Sequence, residues 1–118
     1  MNNFKELKVW QKAIKLVTAV YKNTQSFPKE EMYGLTSQIR RAAVSIPSNI
    51  AEGAGRMSPG DFKHFLNIAR GSSFELETQL AIGLNLDYLA QADFNLLTSC
   101  LDEIQRVITG LQNSLATK

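Results

Sequence analysis

From Phe94 to Leu115, the apolar residues Phe94, Leu97, Leu101, Ile104, Ile108, Leu111 and Leu115 recur at intervals of three and four without a fault. A turn of 3.6 residues gathers such positions into one stripe, whereas a strand would need alternation. The spacing predicts a helix over about 92–115, with a seam of the kind used in bundles and coiled coils. Gly110 is its one weak link. No stretch of the chain alternates with period two, so no strand is expected.

Three further segments carry the helical period. Leu7, Trp10, Ile14, Val17 and Tyr21 follow the same spacing and predict a helix over about 5–25. Lys5, Lys8, Lys12, Lys15 and Lys22 are expected on the arc opposite its apolar stripe. Phe27-Pro28 closes it, because proline disfavours helix at the preceding residue. A second helix is expected over about 28–54, opening at Pro28 with Glu30 and Glu31 suited to its N-terminus. Met32, Leu35, Ile39, Ala42, Ala43, Ile46 and Ile50 set its period. Pro47 lies inside it and predicts a kink, since proline removes one backbone hydrogen bond. Ser58-Pro59-Gly60-Asp61 reads as a helix start, with serine as cap and proline at the first helical position. That third helix is expected over about 58–89. Gly71-Ser72-Ser73 in its middle is costly for a helix and predicts that another backbone approaches there.

Four amphipathic helices with short connections predict an all-α fold, an antiparallel up-down-up-down four-helix bundle, as a single domain over residues 1–118. A length of 118 residues fits one domain, and 44% apolar with 20% charged residues is a globular balance. The stripes are wide, because Ala13, Leu16, Val20, Leu96, Cys100 and Val107 lie off the central seams. Some of that surface is expected to be buried between subunits. One cysteine excludes an internal disulfide framework. No apolar run approaches a membrane span, and the first residues lack the pattern of a secretory signal. The expected location is the cytoplasm, with no membrane partner.

Charge is unevenly placed. Residues 1–56 hold nine Lys/Arg and four Asp/Glu, while residues 57–118 hold four and seven. The net charges of +5 and −3 predict an anionic partner for the first half, or complementarity between copies. The lysine face of the first helix, with Arg40 and Arg41, is the candidate nucleic-acid surface. Contacts of lysine with phosphate are tolerant of sequence and sensitive to salt.

Catalytic and metal chemistry has little to stand on. Asp61 and His64 are three apart, half of a carboxylate-bridged di-metal motif, but a second such helix is missing. His64 is therefore expected at the surface and no metal is expected. Cys100 sits between Leu97 and Leu101 and reads as a small core hydrophobe without a base to activate it. No glycine-rich phosphate loop follows a strand, so no cofactor is expected. A polar cluster is predicted between the second and third helices, built from Arg40 or Arg41 with Ser45, Asn49, Glu52, Ser72 and Glu75. Its expected role is to fix helix register at the kink, since buried polar groups must be paired.

The run Ala42-Ala43-Val44-Ser45-Ile46-Pro47-Ser48-Asn49-Ile50-Ala51-Glu52-Gly53, preceded by Gly34-Leu35-Thr36-Ser37-Gln38-Ile39-Arg40-Arg41, resembles the signature of the ribosomal-RNA intervening-sequence proteins. That family is also called the four-helix-bundle protein family. Leu7-Lys8-Val9-Trp10, Phe27-Pro28 and Ala69-Arg70-Gly71-Ser72-Ser73-Phe74-Glu75-Leu76 agree, so the likeness covers nearly the whole chain. The resemblance implies an up-down bundle that assembles as a homopentamer. It implies no enzymatic activity. Some members are encoded within insertions in bacterial large-subunit ribosomal RNA genes. A related group, the accessory proteins of diversity-generating retroelements, resembles a basic pentamer that binds nucleic acid and a reverse transcriptase. The expectation is thus a non-catalytic homo-oligomer that binds RNA or DNA, or a nucleic-acid enzyme, through a basic face. A protein-binding scaffold without nucleic-acid affinity is the alternative.

Overall fold

The structure, a computed structural model, describes residues 3–116, except the side chain of Ala116. The expected domain limits at 1 and 118 lie outside the described residues. Four helices make up the fold: α1 (Lys8–Thr24), α2 (Leu35–Ala54), α3 (Pro59–Asn85) and α4 (Gln91–Ala116). No strand occurs among the described residues. α1 packs on α2 and α4, and α3 closes the ring by packing on α2 and α4. Leu16, Ile39, Ile46, Leu66, Leu80 and Ile104 are among the side chains fully buried at the centre. No described helix is long and apolar enough to cross a membrane.

Three helix starts and ends differ from their expected places. The first helix gives way near its start to a 3₁₀ turn at Phe4–Glu6, where Asn3 Oδ1 accepts from the Lys5 N–H at 3.0 Å. α2 begins seven residues after Pro28. The intervening chain forms a 3₁₀ turn at Lys29–Glu31, and Glu31 Oε1 then accepts from the Leu35 N–H at 3.1 Å. A Cβ on Gly34 would lie 2.8 Å from that oxygen, so glycine leaves room for the cap. α3 stops at Asn85 instead of Leu89. Asp87 takes a left-handed φ of 62°, and the Tyr88 N–H returns to the Gly83 carbonyl at 2.9 Å.

The α3 start follows its sequence signal. Ser58 Oγ accepts from the Asp61 N–H at 3.1 Å, with Pro59 in the first turn. The α2/α3 interface is the most extensive in the molecule. A Cβ on Gly53 would fall 2.8 Å from Phe65 Cβ, so this glycine sets the close approach. Gly71, expected to do so, is exposed, and a Cβ there would meet nothing within 4 Å. Its neighbour Ser73 is the buried small residue, donating to the Arg70 carbonyl at 2.6 Å. Pro47 is buried within α2 and leaves the Ala43 carbonyl without its usual donor.

One end of the molecule fixes the entry to α2. Phe27 covers Gly83, with a ring carbon 3.3 Å from where a Cβ would stand, and tilts against Tyr88 at 5.5 Å. The Tyr88 hydroxyl donates to Glu31 Oε2 at 3.2 Å. Burial, and then this bond to a carboxylate, push the Tyr88 hydroxyl pKa upward. Glu31 thus ties the turn before α2 both to α2 itself and to the α3–α4 turn.

Candidate nucleic-acid interface

Between Glu6 and Glu30 the sequence contains no acidic residue. α1 lies wholly inside that interval, so its lysines have no partners on their own helix. Lys8, Lys12, Lys15 and Lys22 span about 80° of arc at 100° per residue. Their centre lies about 110° round from Val9, Ala13, Leu16 and Val20, so the row flanks the core-facing stripe and is not opposite to it. It borders α4. Lys12 pairs there with Glu103 at 3.0 Å, and Lys15 lines a recess with Leu96, Leu97 and Cys100. Among the described residues, Lys5, Lys8, Lys15 and Lys22 are exposed and form no ion pair.

The two arginines lie on the other flank of α1. Arg40 Nε donates to Thr24 Oγ1 at 2.9 Å, and Nη2 donates to the Tyr21 carbonyl at 3.3 Å. Its guanidinium sits 4.5 Å above the Tyr21 ring centre, a cation–π contact. Thr24 Oγ1 itself donates to the Val20 carbonyl at 2.8 Å. Arg40 is therefore committed to α1 and is held rigidly. Arg41 is exposed and belongs to two recesses at once. One is a groove of about 570 Å³ against α1, walled by Tyr21, Met32, Tyr33, Thr36, Ser37 and Arg40 among others. The second, about 330 Å³, lies towards α3 beside Glu75 and Gln79. The structure thus divides the predicted basic surface into a lysine row at α4 and an arginine groove at α2.

The predicted polar cluster survives only in its centre. Ser45 Oγ and Ser72 Oγ are 2.8 Å apart, joining α2 to α3. Asn49 Nδ2 donates to the Ser45 carbonyl at 2.8 Å and to Ser45 Oγ at 3.0 Å. Glu52 instead pairs with Arg56 at 2.7 Å, half in solvent. Glu75 is exposed, and Arg40 is engaged on α1. The reason is solvation: a carboxylate that can pair locally in water avoids the cost of burial.

Asp61 and His64 are exposed, and His64 lies edge-on to Phe65 at 5.4 Å. Among the described residues no three His, Cys, Asp or Glu side chains are grouped as a metal would need. Cys100 is half-buried between α1 and α4. Burial first, and then the Glu103 carboxylate, push its thiol pKa up, against a smaller downward pull from Lys12. A thiol so placed is held in its protonated, unreactive form.

The model of the 23S rRNA-intervening sequence proteins matches residues 5–110. The chain belongs to that family. Six chains of solved structures also match it significantly. One is a protein of unknown function from the S23 ribosomal protein family of Bacteroides thetaiotaomicron. It is 23% identical, with a TM-score of 0.79, and the match covers 88% of this chain and 97% of that one. That likeness speaks for the fold alone. No curated protein matches the chain significantly. Tyr33, Thr36 and Ser37 line the groove beside Arg40 and Arg41 without having been singled out in the sequence. The available signal was the Thr36-Ser37 pair, two residues beyond Gly34, with the Arg40-Arg41 pair one turn later.

Proposed function

We propose that the chain is a non-catalytic homo-oligomer, a pentamer, that works in the cytoplasm by binding nucleic acid or a nucleic-acid-processing partner through basic surface. The observation that carries this reading is the lysine row of α1. Three of its four lysines, Lys8, Lys15 and Lys22, are exposed without an ion-pair partner among the described residues, on a segment devoid of acidic residues. Solvated lysines of this kind neutralise phosphates and release counterions. A cyclic assembly would repeat the row around its axis and multiply the field. The printed family name refers to 23S rRNA, which agrees with an RNA-associated role.

The architecture that goes with this reading is antiparallel, up-down-up-down, with α2 bent near Pro47. Gln105 donates to Glu77 at 3.2 Å and Gln112 to the Lys63 carbonyl at 3.4 Å. Partners thus descend along α3 as they ascend along α4, which supports opposite directions. The missing N–H of Pro47 supports the bend.

The experiment is anisotropy of labelled RNA and DNA oligomers across a salt series, with the wild type and a Lys8→Glu, Lys15→Glu variant. Lys12 is spared because it pairs with Glu103. Binding should weaken linearly in log–log salt, and the variant should lower the slope by about 1 to 2. An unchanged slope in a variant of unchanged mass would remove the lysine row from the function. No binding at low salt would favour the protein-binding scaffold.

A further inference from the structure

The outward face of α1 carries a second period besides the apolar one. Lys8, Gln11, Lys15, Thr18 and Lys22 recur at intervals of three and four, and all five are exposed. Their centre lies about 150° round the helix from Val9, Ala13, Leu16 and Val20, so they form a ridge that points away from the core. Gln11 Nε2 donates to the Lys5 carbonyl at 2.9 Å, and Thr18 Oγ1 donates to the Ile14 carbonyl at 3.2 Å. These bonds turn two polar side chains to the backbone, and the three lysines supply the charge of the ridge. Each lysine stands seven residues from the next, about 10.5 Å along the axis, and the ridge is about 21 Å long. α1 contains neither glycine nor proline, so the spacing is rigid.

What borders the ridge narrows what it can hold. On the α4 side, Glu103 takes Lys12 at 3.0 Å, and Asp93 lines the recess beside Lys15. These carboxylates repel a polyanion from that edge and leave the ridge itself as its path. The aromatic rings of α1 lie on the α2 side, about 110° round from the ridge. Trp10 packs edge-on against Phe4 at 5.3 Å, and Arg40 covers the Tyr21 ring at 4.5 Å. Single strands gain affinity by stacking bases on open aromatic faces, and these rings offer none to a strand on the ridge. A duplex keeps its bases stacked inside and needs no such face. Along about 21 Å it presents about 12 phosphate charges in a fixed array. DNA in this form is stiff over about 150 base pairs, so it meets a rigid ridge without an ordering cost.

We propose that the α1 ridge binds the phosphate backbone of a duplex through Lys8, Lys15 and Lys22, in preference to a single strand. This rests on the nucleic-acid reading above and narrows it to one class of nucleic acid. Counterion release sets the size of the preference. With three phosphates met by each chain, log affinity falls with log salt at a slope of about 2.7 for a duplex and about 2.1 for a single strand. Without stacking to compensate, the difference favours the duplex about four-fold per chain for each decade of salt below about 1 M.

The test titrates the full chain against labelled DNA and RNA duplexes and against the single strands of the same sequence, across a salt series. Two variants remove charge from the ridge: Lys8→Gln with Lys15→Gln, and Lys15→Gln with Lys22→Gln. A control, Lys29→Gln with Lys63→Gln, removes the same charge from outside α1. All five lysines are exposed, so these replacements leave the core untouched. Mass is checked by light scattering. The wild type should bind both duplexes at least about four-fold more tightly than the single strands at about 0.1 M salt. Each ridge variant should lower the duplex slope by about 1.8 per engaged chain, and the control should leave it unchanged. Single strands bound as tightly as the duplexes, and weakened by the ridge variants, overturn the duplex preference while leaving the basic-face reading in place. Equal losses in the control and the ridge variants overturn the ridge, since net charge alone would then carry the binding. Absence of any binding by the wild type overturns both.

Discussion

Gly53 and Gly71 are both helical glycines, and they should respond in opposite ways to the same substitution. At Gly53 a Cβ would collide with Phe65 Cβ at 2.8 Å and with the Phe62 carbonyl at 3.2 Å. Neither can move without shifting α3, so Gly53→Ala should destabilise by about 1–3 kcal/mol. At Gly71 a Cβ enters open space, so Gly71→Ala should stabilise by about 0.5–1 kcal/mol through helix propensity alone. Urea midpoints of the two variants decide this, and a loss at Gly71 would mean that its face is covered in the assembly. The sequence could not separate the two cases, because what a glycine meets is supplied by another helix. Cys100 is a residue-scale case with a pH dependence. Its thiol pKa is raised by burial and by Glu103, so the thiolate forms only above the pH at which an ordinary cysteine ionises. Alkylation should therefore be slow at neutral pH and rise at a higher pH than for a model thiol. Glu103→Gln removes a raising charge and releases Lys12, which lowers the pKa, so the alkylation curve should move to lower pH. A curve that stays in place would show burial acting alone.

Capping decides where the helices begin and end, and the caps differ in how local they are. Ser58 caps α3 within three residues, and that start was legible as Ser-Pro-Gly-Asp. Ser58→Ala should cost about 1 kcal/mol, measured by thermal or urea unfolding. A variant as stable as the wild type would mean that water replaces the serine oxygen. The start of α2 was not legible. Its cap is Glu31, positioned by the hydroxyl of Tyr88 from the far side of the chain. Glu30 and Glu31 carry a first-turn composition, so the sequence pattern placed the helix seven residues, about two turns, too early. The end of α3 was overrun for a related reason. Leu89 is buried and follows the apolar residues Leu84, Leu86 and Tyr88 in the chain, yet it lies beyond the turn. The turn itself relies on Asp87 at φ 62°, a conformation open to aspartate and glycine but strained for a branched residue. Asp87→Val should lose about 1–2 kcal/mol while Asp87→Gly stays near the wild type. Equal losses in both would place the role of Asp87 in its carboxylate and not in its backbone.

At the scale of the molecule, period and charge carried the reading furthest. The four stripes gave the four helices, and the spacing of the lysines along the first of them gave the lysine row. Which flank each charge occupies was not legible, since it depends on which helices pack beside α1. The same geometry constrains the proposed assembly. Apolar surface remains open on two different flanks. On the α1/α2 flank, Ile14 is 39% exposed in a recess with Trp10, Val17 and Pro47. On the α1/α4 flank, Leu96 is 71% exposed beside Leu97 and Cys100. A ring of more than two subunits needs a heterologous interface, in which one patch of each copy meets a different patch of the next. Two unlike apolar flanks meet that need. Ile14→Glu and Leu96→Glu should each therefore reduce the assembly to monomer without loss of helicity, because each spoils one side of every contact. Mixed together, the two variants retain one intact patch apiece. They should form a dimer that cannot grow, since the remaining patches carry glutamate. Light scattering of each variant and of the equimolar mixture reads this directly. A mixture that stays monomeric would mean that the two flanks do not meet each other, and full-size rings in both single variants would place the interface elsewhere.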